Sequence, residues 1–144
     1  MSEATRSIEV NVPIEKMFDV ITDYKAYPEF LGGLGMVGAE IDSDDGDIMV
    51  VTQSVKKMGK VISYTLRYKL ERPYKVSWTM LKGQMMKDNR GSWVLEEAGE
   101  GRTKATYAAE IRFGMLVPKA LIKILISKEL PQMLESFKKR AESI

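Results

Sequence analysis

Any chemistry in this chain must come from Asp, Glu, Lys, Arg, Tyr or ordered water, because its 144 residues include no histidine and no cysteine. That removes thiolate nucleophiles, His general bases, Ser-His-Asp triads, disulfides and every ordinary zinc site. Two local patterns could still hold a ligand. Gly33-Leu34-Gly35-Met36-Val37-Gly38 has the glycine spacing of a dinucleotide loop. Such a loop needs a strand before it and a helix after it, so that pyrophosphate meets the helix N-terminus, and an acid about twenty residues on. Here the order is helix then strand, and the later position is Gln53. The glycines are expected to shape a flexible lip instead. Asp42, Asp44, Asp45 and Asp47 suggest calcium, but counting from Asp42 the sixth position is Asp47 where an EF-hand takes Gly, and the twelfth is Gln53 where it takes Glu. A solvated hairpin turn is expected there. Neither a metal nor a cofactor is expected.

The more telling set is apolar. Tyr64, Tyr68, Trp78, Trp93 and Tyr107 all fall on the inward phase of alternating segments, with Gln53 and Met80 in the same phase. Any one of them fits ordinary core packing. Together they carry three tyrosine hydroxyls that each need a partner when buried, and ligand pockets are typically apolar with a few placed polar groups. The predicted ligand contacts are therefore Gln53, Tyr64, Tyr68, Trp78, Met80, Trp93 and Tyr107, with Leu121 and Leu125 from a covering helix. Met36, Met80, Met85 and Met115 are placed at the cup and its gate, where flexible thioethers suit varied ligands. They serve equally well as gap fillers in a core. Arg90 is out of phase with Trp93 and is expected in solvent. Glu110, the nearest acid to the inward set, also falls outside, which weakens any enzymatic reading.

These residues need elements to hold them. Residues 5–12 alternate as a half-buried strand. Pro13 suits the first position of a helix, and Ile14, Met17, Phe18 and Ile21 follow at helical spacing. Asp23 opens a second short helical stretch, bent at Pro28, with Tyr24, Tyr27, Phe30 and Leu31 on one face. From Met36 to Phe113 the period changes to two, with turns at residues 43–47, 58–60, 72–73, 83 and 98–101. That predicts six consecutive strands in an antiparallel meander, in one of which Tyr74, Val76, Trp78 and Met80 share the inner face. Met115–Ser143 returns to helical spacing, with Pro131 expected to kink or interrupt it. A helix of that length has only one large surface to cover, the concave face of a seven-stranded sheet. Sheets of that size twist and curl, so a space is expected beneath the helix.

The length suits one domain, residues 1–144. A net charge of +2 is too small for phosphate-driven binding, so no nucleic acid is expected. The opening MSEATRSIEV has no apolar h-region, and a cytoplasmic location is expected. Residues 116–128 are apolar on more than one face, and residues 115–144 carry six basic against three acidic residues. Peripheral contact with an anionic membrane, a homodimer interface and a gate over the pocket each account for that surplus.

The order strand, two short helices, six strands, long helix resembles the helix-grip fold of the START-like (SRPBCC) superfamily. The segment VPIEKMFDVITDYKAYPEFL, residues 12–31, is similar to that family's Pro-led first helix running into Asp-Tyr and Tyr-Pro-x-Phe. RGSWVLEEAGEGRTKATYAAEIRF, residues 90–113, resembles its late Gly-x-Trp and Gly-x-Thr…Tyr strands. Within the superfamily the likeness is greatest to the polyketide cyclase/dehydratase and coenzyme Q-binding group. The resemblance implies an α+β fold and a pocket between sheet and long helix. It implies carriage of a lipid, isoprenoid quinone or polyketide, with a cyclase/dehydratase as an alternative, while the basic C-terminal helix leaves a membrane- or ribosome-associated regulator as a third reading.

Overall fold

The computed structural model describes residues 2–144. Seven antiparallel strands form a single sheet: β1 (Ser2–Val10), β2 (Met36–Asp44), β3 (Ile48–Lys57), β4 (Lys60–Glu71), β5 (Lys75–Gly83), β6 (Met86–Glu97) and β7 (Thr103–Phe113). Their order across the sheet is β1-β7-β6-β5-β4-β3-β2. The last six strands are thus the expected meander, and β1 pairs with β7 along its whole length. Strand β1 starts earlier than the alternation suggested, because residues 2–4 also find partners on β7.

Between β1 and β2 lie α1 (Ile14–Thr22), a 3₁₀ turn (Tyr24–Ala26), α2 (Tyr27–Leu31) and a second 3₁₀ turn (Gly32–Leu34). Helix α1 buries Ile14, Met17, Phe18, Val20 and Ile21, the stripe its spacing requires. Pro13 is its cap, with extended ψ of 155°, one position before the place expected. Gly35 must be glycine twice over. Its φ is +96°, and a Cβ there would lie 2.5 Å from the Lys56 carbonyl oxygen. The aspartate hairpin is a turn as expected, with the Gly46 N–H donating to Asp44 Oδ1 at 2.8 Å.

One strand expectation changes, and one strand carries a bulge. Tyr74 is 59% exposed and precedes β5, in the turn after Pro73, so it leaves the inward set. Leu66 pairs with Met80 while Thr65 pairs with Lys82, so Leu81 is an extra residue and points to solvent.

The C-terminal helix starts at Lys119 rather than Met115, because Pro118 caps it with an extended ψ of 140°. It runs as α3 (Lys119–Ile124), a π-helical turn (Leu125–Glu129) and α4 (Leu130–Ser143). The wide turn sits immediately before Pro131, which has no N–H to continue the ladder. Pro131 thus alters the helix without breaking it. The two halves differ in burial. Helix α4 buries Leu130, Leu134, Phe137 and Ala141 and packs on α1, α2 and β1. Helix α3 and the π turn contain no fully buried residue. Among the described residues no helix is long and apolar enough to cross a membrane.

Candidate ligand cavity between the sheet and the C-terminal helix

The inside of the cup divides into a filled end and an open end. At the filled end, Tyr24 of the first 3₁₀ turn and Phe137 of α4 press their rings onto the sheet. Tyr24 lies 4.3 Å from Tyr68, Phe137 lies 5.2 Å from Trp93, and Trp93 lies 5.1 Å from Tyr107 between ring centroids. Their tilted and edge-on geometries are those that favour aromatic contacts. Gln53, Tyr68, Trp78 and Trp93 face inward and are buried, with Tyr24 against Tyr68, Phe137 against Trp93, and Trp78 between Tyr68 and Tyr107. Met80 packs half-buried against the same core.

At the open end a cavity of about 280 Å³ remains, just below the roughly 300 Å³ at which ordinary ligand pockets begin. Of the nine predicted contacts, Tyr64, Tyr107, Leu121 and Leu125 line it; the other five do not. The sheet adds Val55, Ile62, Ala109 and Ile111, and the helix adds Ile126 and Met133. Met36 and Met85 line it too, whereas Met115 is 92% exposed on the loop before α3. Exposed Met58, in the β3–β4 turn, is also on its wall, so the cavity reaches the surface there.

Polar groups are few and mostly committed. The Tyr64 hydroxyl donates to Gln53 Oε1 at 2.9 Å, and Gln53 Nε2 donates to the Tyr68 hydroxyl. Gln53 thereby serves as the buried partner that two of the inward tyrosines require. Burial pushes the Tyr64 hydroxyl up to about 12. Burial likewise raises Tyr107, and it raises Tyr68 despite the opposing hydrogen bond from Gln53. All three are neutral at physiological pH and can donate protons in hydrogen bonds, but none is a base. At the rim, Lys57 Nζ donates to the Leu34 carbonyl at 2.8 Å and forms an ion pair with Glu129. That pair ties the end of β3 to the glycine lip and to the π turn. Glu129 is the one carboxylate on the wall among the described residues, and it is occupied by Lys57. Arg90 and Glu110 pair with each other on the outer face at 3.2 Å, as their phase predicted. Asn89 is also on the wall. Sequence reasoning overlooked it because it is polar, although Trp93 and Gly91 share its phase.

A curved antiparallel sheet gripping a long helix over an apolar cavity is the helix-grip architecture of the START-like superfamily. The Zhui aromatase/cyclase from a Streptomyces species superposes with a TM-score of 0.86 at 14% identity, over 98% of this chain and 93% of that one. A START superfamily protein from Mycobacterium smegmatis gives 0.84 at 16% identity, over 97% of each chain. Residues 10–138 match the family described as polyketide cyclase / dehydrase and lipid transport, and the chain belongs to that family. It is also 24% identical, over all of its length and 98% of the relative's, to the ribosome association toxin RatA of Vibrio cholerae.

Proposed function

We propose that this chain binds and carries an apolar small molecule, of the lipid, isoprenoid quinone or polyketide kind, in the cavity beneath α3 and the π turn. The observation that carries this reading is the division of the C-terminal helix. Its α4 half is buried against side chains, while its α3 half covers a space that none of the described residues fills. An apolar wall rewards an apolar ligand by about 25 cal/mol per Å² removed from water, less ordering costs. A cyclase or dehydratase has less support. Its proton transfers need a group poised near neutral pH, and the wall offers neutral tyrosines and a carboxylate already paired. The test is native mass spectrometry of the purified chain, before and after incubation with lipids, quinones and aromatic polyketides. Bound apolar mass at one per chain is expected. A chain that stays ligand-free with all three, and whose melting temperature none of them shifts, contradicts the proposal.

A second reading is ribosome association of the kind named for the Vibrio relative. Besides that full-length likeness, its support is the exposed pair Met115 and Leu116, 92% and 87% accessible, directly before Lys119 and Lys123. Co-sedimentation with ribosomal subunits, lost on charge reversal by Lys119→Glu and Lys123→Glu, is the expected sign. A chain that stays at the top of the gradient removes it.

A further inference from the structure

We infer that the ligand presents a carbonyl oxygen to the side-chain amide of Asn89, so that the cavity selects keto or quinone-type molecules over hydrocarbons of the same shape. This rests on the carrier function proposed above and names the chemistry of its ligand.

Asn89 is only 8% exposed, and it lines the cavity. Plain alternation puts it on the inner face of β6 with Gly91 and Trp93, in unbroken register with β7. The Trp78 indole Nε1–H lies 3.0 Å from Asn89 Oδ1. An indole N–H can only donate, so this bond decides which end of the amide faces the ring. The carbonyl end is used, and the amino end, with two N–H donors, is turned away from it. Among the described residues that amino group meets only the Met86 sulfur, at 3.8 Å, a weak acceptor. A buried amide donor without a proper acceptor is costly, and native proteins rarely leave one so.

The neighbouring polar groups point to the same ligand chemistry. Tyr107, its ring 5.4 Å from that of Trp78, lines the cavity and brings a hydroxyl that can donate. The Tyr64 proton is already given to Gln53. At the rim, Gln84 accepts from the Ser63 N–H at 2.9 Å, which again leaves an amino end free. The uncommitted groups are therefore chiefly donors. A carboxylate or phosphate would want a free cation, and Lys57 is neutralised by Glu129. A neutral acceptor oxygen is what the wall lacks.

The test compares undecan-2-one with undecane, each displacing the fluorescent probe N-phenyl-1-naphthylamine from the wild type and from Asn89→Leu. The ratio of ketone to alkane affinity is expected to fall on the order of fivefold in the variant, the net worth of one hydrogen bond. With ketone labelled at its carbonyl carbon, the infrared stretch of the bound molecule is expected at lower frequency in the wild type than in Asn89→Leu. Asn89→Asp keeps an oxygen for Trp78 and covers the case in which the leucine variant fails to fold. Measured at about pH 9, towards the top of the range to which burial raises a carboxyl group, it should lower the same ratio. An unchanged ratio and an unchanged carbonyl frequency across the three proteins would overturn the inference while leaving apolar binding intact. If neither molecule displaces the probe even from the wild type, the carrier function fails and the inference fails with it.

Discussion

Gln53 accepts a hydrogen bond from Tyr64 and donates one to Tyr68, so replacing it with leucine strands two buried hydroxyls at once. Each such loss costs about 1–3 kcal/mol, and Gln53→Leu is expected to lower the unfolding free energy by about 2 kcal/mol in a urea titration. A change below a few tenths would show that the amide is dispensable. The tyrosines also set the alkaline limit of stability. Burial raises Tyr64 from its ordinary 10.0 to about 12, and raises Tyr24, Tyr27, Tyr68 and Tyr107 as well. A folded-state value above the unfolded one means the unfolded chain loses its protons first. The stabilisation is therefore complete below about pH 10 and is lost as the pH rises towards 12 and beyond. Phenolate absorbance from these five buried tyrosines should appear together with loss of near-ultraviolet circular dichroism, as one transition. Five tyrosines ionising while the fold persists would contradict it. At this scale the sequence told inward from outward, as Arg90 and Glu110 show, but not filled from open. Alternation reports which face a residue takes and is silent on what stands opposite it, so Trp78 and Trp93 read the same as Tyr107.

Among the elements, β6 lies close against β7 at Gly91, where it carries no side chain. A Cβ on Gly91 would lie 2.3 Å from the Ala108 carbonyl oxygen and 2.6 Å from the Trp78 ring. Backbone cannot yield as a flexible side chain does, so Gly91→Ala is expected to cost about 1–3 kcal/mol, read as a lower denaturation midpoint with unchanged slope. A wild-type midpoint would mean that Gly91 has room for a methyl group against β7. The period-2 run predicted the meander correctly because each strand is long and half-buried. Tyr74 escaped it because it lies in the turn before β5, which does not disturb the alternation of residue types enough to be read. Pro131 marked the irregular part of the last helix, although a proline does not announce whether a helix will bend, break or widen. Over that π turn the Lys57–Glu129 pair holds the helix to the end of β3. Each partner retains some solvent contact, so the pair contributes about 1 kcal/mol or less. Its larger effect should be kinetic. Glu129→Gln is expected to leave the melting temperature nearly unchanged while several-fold faster release of a bound apolar probe is seen by stopped flow. An unchanged release rate would show that ligands leave by another route.

Over the whole molecule, one long helix performs two tasks because its halves meet different things. The α4 half completes the core with Leu134, Phe137 and Ala141, and the α3 half roofs a cavity whose wall is largely apolar. The sequence anticipated a helix over a curled sheet, and the likeness of residues 12–31 and 90–113 to known helix-grip proteins pointed to a pocket. The pocket's location at one end followed from neither. It depends on how far the rings of Tyr24 and Phe137 reach along the sheet, which is a matter of packing rather than of pattern. The most direct measurement is equilibrium titration of the chain with N-phenyl-1-naphthylamine, alongside Leu121→Trp, whose indole should fill the cavity from the roof. Saturable binding at one probe per chain is expected for the wild type, and loss of it in a variant that melts no lower. Binding that never saturates, or that survives the tryptophan undiminished, would show that the space beneath the helix is not where this protein holds its ligand.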